Sequence, residues 1–424
     1  MRNMADKDAR AEPAAPPSEA RPPYRGRAVA RAVENRAAVF RHRLSAGEVG
    51  SLPIVLLLAA VWITFQSLNE NFLSPRNLSN LSVDIVGTGL IAVGLVFVLL
   101  LGELDLSVGS ISGLAAAVFA VLNVNHGVPE WLALIVGVLA GTVAGTVQGF
   151  SFARTRVPAF VVTLAGLLTW NGLMLYVLGT SATVNLEENG LVDNLTSHYF
   201  TNDAAAYGLA AVGVGLVFLV SYLDRRRRKA ADMPHRSLKE TAVRTGGLAV
   251  IAFASAYLLN RFQGLPLALL IFLVVVAALD VILRRTHYGR QVYALGGGVE
   301  AARRASLSVA RVRTAVLAVS GTMAAIGGLF LASRITSVSQ GSGSSILLLN
   351  AIAAAVIGGT SLFGGRGTTW SAVLGMLVIQ SIASGMAITD TPAAVQFMIT
   401  GGVLFAAVVL DSLSRRSQEA HGRA

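Results

Sequence analysis

The 424 residues contain no cysteine, so disulfides and thiolate metal sites are excluded. The six histidines are scattered and no HExxH pair occurs, which leaves no zinc-hydrolase pattern. No Gly-Lys-Ser or Gly-Lys-Thr occurs either, so the chain has no P-loop for ATP. Charge is scarce: 13% of residues, against about 25% in a soluble globular protein. Lysine is limited to Lys7, Lys229 and Lys239, so arginine supplies nearly all of the net charge of +11. These arginines sit between apolar runs rather than in a patch, which favours membrane orientation over nucleic-acid binding. With no metal cluster and no nucleophile–base pair in view, an enzyme is not expected.

Long apolar runs are abundant. Hydrophobic residues make up 54% of the chain and the mean hydropathy is +0.64. Runs at 52–68, 83–101, 107–123, 131–151, 160–179, 207–223, 246–260, 266–283, 314–333, 346–363, 370–388 and 393–411 each approach the length that crosses a hydrocarbon core of about 30 Å. The pair 246–260 and 266–283 is separated only by RFQGL, and the pair 346–363 and 370–388 is interrupted by glycines, so either pair could be re-entrant. The expectation is an all-α polytopic membrane protein with about 10–12 transmembrane helices, some broken by glycine-rich segments.

Charge placement orients this map. Residues 1–49, rich in Arg, Ala and Pro, read as a disordered basic cytoplasmic tail that could touch anionic lipid. With that tail inside, Arg154, Arg156, RRRRK at 225–229, the loop 284–313, Arg415 and Arg416 also fall inside, as the positive-inside rule requires. Loop 180–206 then falls outside; it holds Glu187, Glu188, Asp193 and Asp203 and no Lys or Arg. Both termini are expected in the cytoplasm, with a transmembrane domain at 50–415 and a short tail at 416–424. Gly137, Gly141, Gly145 and Gly149 recur every fourth residue, the small-residue stripe that lets helix backbones approach closely.

Two acids stand between greasy segments, Glu103 and Asp105 in LLLGELDLSVGSISG. One reading is capping: Asp105 or Ser107 accepts free backbone N–H groups at a helix start. The other is a broken helix whose polar groups line a cavity, since intramembrane acids are functional candidates. Both readings stay open. A similar alternation of apolar helix, glycines and small-residue helix recurs at 353–377, AAAVIGGTSLFGGRGTTWSAVLGML, a weak hint of a parallel internal repeat. Gln148, Thr163, Asn171, Asn350 and Gln380 are polar within or near spans, where helix–helix hydrogen bonding is the common role. In the loop 284–313, GGG breaks the chain and VEAARRAS reads as a short helix with Glu300 in its first turn.

GELDLSVGSISG, RVPAFVVTLAGLL, THYGRQVYALGGGVEAAR and NAIAAAVIGGTSLFGGRGT, in this order, resemble the membrane permease of bacterial ABC sugar importers of the ribose/xylose/arabinose type. The resemblance covers roughly 50–415, and the segment ending YLLNRFQGLP is most similar to the D-xylose branch. Leu348 and Asn350 stand where that family usually has acids, and Gly298 stands where it usually has Asn. The resemblance implies a bacterial cytoplasmic-membrane permease that moves a monosaccharide inward, a pentose such as D-xylose. It implies a second permease copy, a cytoplasmic ABC ATPase that hydrolyses the ATP, and an extracytoplasmic sugar-binding protein, with membrane lipid around them and no cofactor on this chain. It makes Glu103, Asp105, Ser107, Asn171, Asn350 and Thr360 candidates for the transport pathway. Gly289, Arg290, Gly296, Gly297, Glu300, Ala301, Ala302 and Arg303 become candidates for ATPase coupling. The rival from the residues alone is a proton-coupled secondary transporter using Glu103 or Asp105.

Overall fold

The computed structural model describes residues 52–420 apart from Arg156, Ser181 and 234–236; the tail 1–49, Arg156 and residues 421–424 lie outside the described residues. Each expected apolar run holds one helix. In chain order these are α1 Leu52–Leu68, α2 Pro75–Leu100, α3 Val108–Ala120, α4 Glu130–Thr155 and α5 Ala159–Leu178. Strand β1 Thr183–Asn185, the single turn α6 Asn194–Ser197 and β2 Tyr199–Phe200 follow. Then come α7 Asp203–Ala230, α8 Leu238–Asn260, β3 Leu265–Pro266 and α9 Leu267–Arg285. Two short helices, α10 His287–Gly297 and α11 Val299–Arg304, precede α12 Val309–Ile335. The chain closes with β4 Ser337–Ser339, α13 Ser345–Ile357, α14 Thr369–Ile388 and α15 Ala393–Ala420. Among the described residues, nine helices are long and apolar enough to cross a membrane, one of them being α3 together with the π-helical turn Val121–Asn125 that continues it, and Leu52–Leu68, Ser345–Ile357 and Ala393–Ala406 are shorter apolar stretches.

Two helices begin earlier than hydropathy alone indicates. α2 starts at Pro75 rather than near 83, because the Ser74 side chain accepts from Asn77 N and proline fits the first helical position. α8 starts at Leu238 rather than 246, where Ser237 accepts from Glu240 N, half of a capping box. Polar first turns extend both helices beyond their apolar windows.

The four strands gather at one end of the bundle. β1 pairs antiparallel with β4, Thr183 opposite Ser339, and β2 with β3, Tyr199 opposite Pro266. The opposite end, the basic end, carries α10, α11, Arg154 and the run 225–229.

α2 and α12 form the centre, with 94% and 67% of their apolar stretches buried. The glycine stripe of α4 does what its spacing predicts. A Cβ on Gly145 would strike the Leu317 carbonyl, one on Gly141 the Gly321 carbonyl, and one on Gly149 would lie 2.7 Å from Thr314 Cα. Without a hydrophobic drive between helices in lipid, such backbone-to-backbone approach supplies the packing.

Candidate functional site

The segment 101–107 leaves α2 at the basic end and turns back into the bundle before α3 begins. Gly102 makes the turn at φ +75, a left-handed conformation open to glycine. Asp105 and Ser107 are fully buried. Asp105 Oδ1 accepts from Ser107 N at 2.9 Å and from Ser107 Oγ at 2.6 Å, and Oδ2 accepts from Ser320 Oγ at 2.8 Å. Ser320 lies on α12 eleven residues from Val309, which is about 17 Å along the axis. Asp105 therefore sits well inside the bundle rather than at its rim. Ser107 itself makes no side-chain cap, so the capping role belongs to Asp105, and its backbone donor is the residue preceding the helix.

Gln148 of α4 joins the cluster, its Oε1 2.9 Å from Ser107 Oγ. A hydroxyl has one proton. With that proton on Asp105, the amide serves Ser107 best by turning its NH2 inward, which also relieves the otherwise unpartnered, buried Nε2. Thr163 of α5 donates to Leu104 O at 3.2 Å. Gln148 and Thr163 thus bond from their helices to the irregular segment 101–107 rather than to another helix, in contrast to the helix–helix bonds expected of polar residues in spans. Below this cluster, Arg313 of α12 pairs with Glu103 at 3.3 Å and lies 4.3 Å from the Phe152 ring centroid. Sequence reasoning does not find Ser320 or Arg313. Each is more than 200 residues from its acid, and one serine among small residues carries no signal of its partner.

A second irregular segment enters from the strand end. After β4 the chain dips inward, and a Cβ on Gly343 would lie 3.2 Å from Gly109 O and 3.3 Å from Ser110 Cα, in the first turn of α3. α13 starts there and runs to the basic end. Its 13 residues rise about 20 Å, so it completes a crossing only together with 336–344. Irregular backbone at such depth is tolerated where protein or a polar cavity surrounds it. Asn171 and Asn350 are half-buried, and their side chains make no hydrogen bond among the described residues. Thr360, past the end of α13, is buried with an unpartnered hydroxyl. The six pathway candidates thus divide. Asp105, Ser107 and Thr360 are enclosed, while Glu103, Asn171 and Asn350 keep part of their surface.

The basic end brings three glycine segments together. Gly365 N donates to Leu100 O at 2.9 Å, and a Cβ on Gly102 would lie 3.1 Å from Phe363 O. A Cβ on Gly296 of α10 would strike Leu100 O and approach Gly365 N at 2.8 Å. Tyr293 of α10 donates to Gly367 O at 2.8 Å. The two similar glycine loops read from the sequence, 101–107 and 358–368, therefore touch each other and α10. Gly289, Val292 and Leu295 form the buried face of α10, and Ala302 that of α11; Arg290, Gly297, Glu300, Ala301 and Arg303 are exposed. Glu300 and Arg303 pair at 3.0 Å. Burial raises the Tyr288 and Tyr293 phenols above their ordinary range. The described residues hold no group of three His, Cys, Asp or Glu that could bind a metal.

The family model described as "Branched-chain amino acid transport system / permease component" matches residues 77–408. The xylose transport system permease protein XylH of Escherichia coli K12 is 36% identical over 365 residues, 86% of this chain and 90% of that one. The ribose import permease protein RbsC of Bacillus subtilis is 31% identical, covering 81% of this chain and 87% of its own. The L-arabinose ABC transporter permease protein AraH of Azospirillum brasilense is 29% identical, covering 87% and 89%. No solved structure matches.

Proposed function

The chain belongs to this family of membrane transport permease components, not enzymes, and from that premise we propose that it imports a monosaccharide, a pentose of the xylose type, in an ATP-driven ABC system. A permease component works with other subunits, which leaves the self-sufficient proton carrier without support. The ATP is hydrolysed by a partner ATPase, two copies of the chain frame the path, and a sugar-binding protein delivers from outside. The basic end faces the cytoplasm, and both termini lie on that side. Counting the three shorter apolar helices with the nine long ones gives twelve crossings among the described residues, and this even number and the Lys/Arg-free composition of loop 180–206 support this orientation.

The observation that carries the coupling reading is the meeting of α10 with both glycine loops. A push on the exposed face of α10–α11 reaches Leu100 through Gly296 and Gly367 through Tyr293. Those loops lead directly into α3 and α14. Asn171, Asn350 and the backbone of 336–344 are neutral hydrogen-bonding groups with surface to offer, the chemistry that a sugar rather than an ion requires. Asp105 acts as a structural acid, because its oxygens are already taken by serine hydroxyls and a backbone N–H.

Reversing the exposed pair, Glu300→Arg with Arg303→Glu, should lower ATPase co-purification and labelled-xylose uptake while the permease remains monodisperse. Unchanged binding and uptake would remove α10–α11 as the docking site. Glu188→Cys, exposed and free of hydrogen bonds, should react with an impermeant thiol reagent from outside only; labelling from the cytoplasmic side alone would invert the topology.

A further inference from the structure

The run RRRRK at 225–229 exceeds what orientation demands, and the structure shows why it stands apart. It ends α7, beside the start of α8 and the end of α9. Among the described residues, these three helix ends hold nine cations: the five of the run, Lys239, Arg244, Arg284 and Arg285. Four carboxylates accompany them, Asp224, Asp232, Glu240 and Asp280. Three of the four are engaged elsewhere: Asp224 with Arg285 at 3.4 Å, Glu240 with Arg244 at 3.6 Å, and Asp280 with Arg284 at 2.8 Å. The run makes no ion pair among the described residues. Arg225 turns inward with its Nε buried and unpartnered, while Arg226, Arg227, Arg228 and Lys229 are exposed.

The surface leading to this charge is apolar. Phe218 (43%), Tyr222 (42%), Val243 (75%), Val250 (70%) and Ile251 (67%) are exposed along the hairpin. Only 11% of the apolar stretch of each of α7 and α8 is buried. A soluble anion would need the cations alone; an acidic polypeptide would have no use for a membrane-length greasy flank. A molecule with an anionic head and long hydrocarbon tails matches both parts.

From this juxtaposition we infer that the basic end of the α7–α8 hairpin is a binding site for the phosphate headgroup of an anionic lipid, with its acyl chains along the hairpin's exposed face. The site is independent of which solute crosses the permease. Cations near a membrane surface each contribute about 1 kcal/mol of attraction to anionic lipid, or about fivefold in retention.

The test uses the full chain in bilayers of phosphatidylcholine with a minor share of phosphatidylglycerol, counting retained lipids by native mass spectrometry. The wild type should hold phosphatidylglycerol in excess of its bulk share. R226Q/R227Q/R228Q/K229Q should lower that preference by more than about fivefold, and R226K/R227K/R228K should keep it. An equal preference in the glutamine variant, or none in the wild type, overturns the inference. Added inorganic phosphate should not displace the lipid at concentrations well below those of screening salt; if it does, the site takes free phosphate and the lipid reading fails. The wild type alone supplies an arm without folding risk. Its preference should fall as salt rises, because exposed charges are screened, and a salt-independent preference also overturns the inference.

Discussion

α2 and α7 are both membrane-length apolar helices, yet 94% of one apolar stretch is buried and 11% of the other. Both carry glycines. In α2, a Cβ on Gly87 would meet Leu331, one on Gly89 Phe272 and one on Gly94 Met323. In α7, Gly208, Gly213 and Gly215 face open space. Hydropathy therefore identifies a membrane helix without saying whether it faces protein or lipid. In lipid the apolar surface gains little by leaving its surroundings, so the centre is selected by shape and by hydrogen bonds rather than by greasiness. The centre is where α4 and α12 touch backbone to backbone and where Asp105 gathers Ser107 and Ser320.

The sharpest way to break the comparison is to put the same bulk into both regions. Gly145→Leu drives a side chain into the Leu317 backbone, which cannot yield as a side-chain tip would. It should cost about 3 kcal/mol or more and abolish the monodisperse, folded permease in size-exclusion chromatography. Gly213→Leu, with open space around it, should leave the elution profile and thermal melting as in the wild type. Equal damage from both would show that the hairpin packs as tightly as the centre.

Next in size is the buried polar cluster. Asp105→Leu strands the Ser320 hydroxyl and the Ser107 backbone N–H, at about 1–3 kcal/mol for each buried group, while Ser107 Oγ keeps Gln148. Asp105→Asn keeps an acceptor and should retain much of the sugar uptake and melting temperature. Uptake as low in Asn as in Leu would assign the charge itself a role in transport. The two ion pairs of α12 are smaller again. Glu103–Arg313, with side chains 25% and 19% exposed and a stacking ring, should show the larger coupling in a double-mutant cycle. Asp84–Arg334, at 28% and 37%, should contribute about 0–1 kcal/mol. The smallest effect is expected at Val243→Ala on the exposed face of α8, within about 0.5 kcal/mol of wild type by thermal melting.

Much of the fold is legible in the amino-acid sequence. Every apolar run forms a helix because a ~30 Å core demands one fixed length of hydrogen-bonded backbone. The α4 stripe is readable because glycine every fourth residue has one geometric meaning on a helix. The break at GGG separates α10 from α11 near Gly298. Hydropathy places the starts of α2 and α8 about eight residues late, because the signal lies in Ser74 with Pro75 and in Ser237 with Glu240. For the candidate site, the acids and the glycine loops are visible, but not their partners.

The sequence by itself determined that the chain is a polytopic helical membrane protein, which end is basic, where its helices break and that it carries no ATP-binding loop. These follow from composition, periodicity and local backbone chemistry, which act over a few residues. Only the tertiary structure decided that Asp105 is enclosed and that α13 begins deep in the bundle. It alone joined α10 to both glycine loops and left α7 and α8 at the edge. Those outcomes depend on contacts between residues far apart in the chain, such as Asp105 with Ser320 and Leu100 with Gly365, and the energy of such contacts depends on which surfaces fit once every helix is in place.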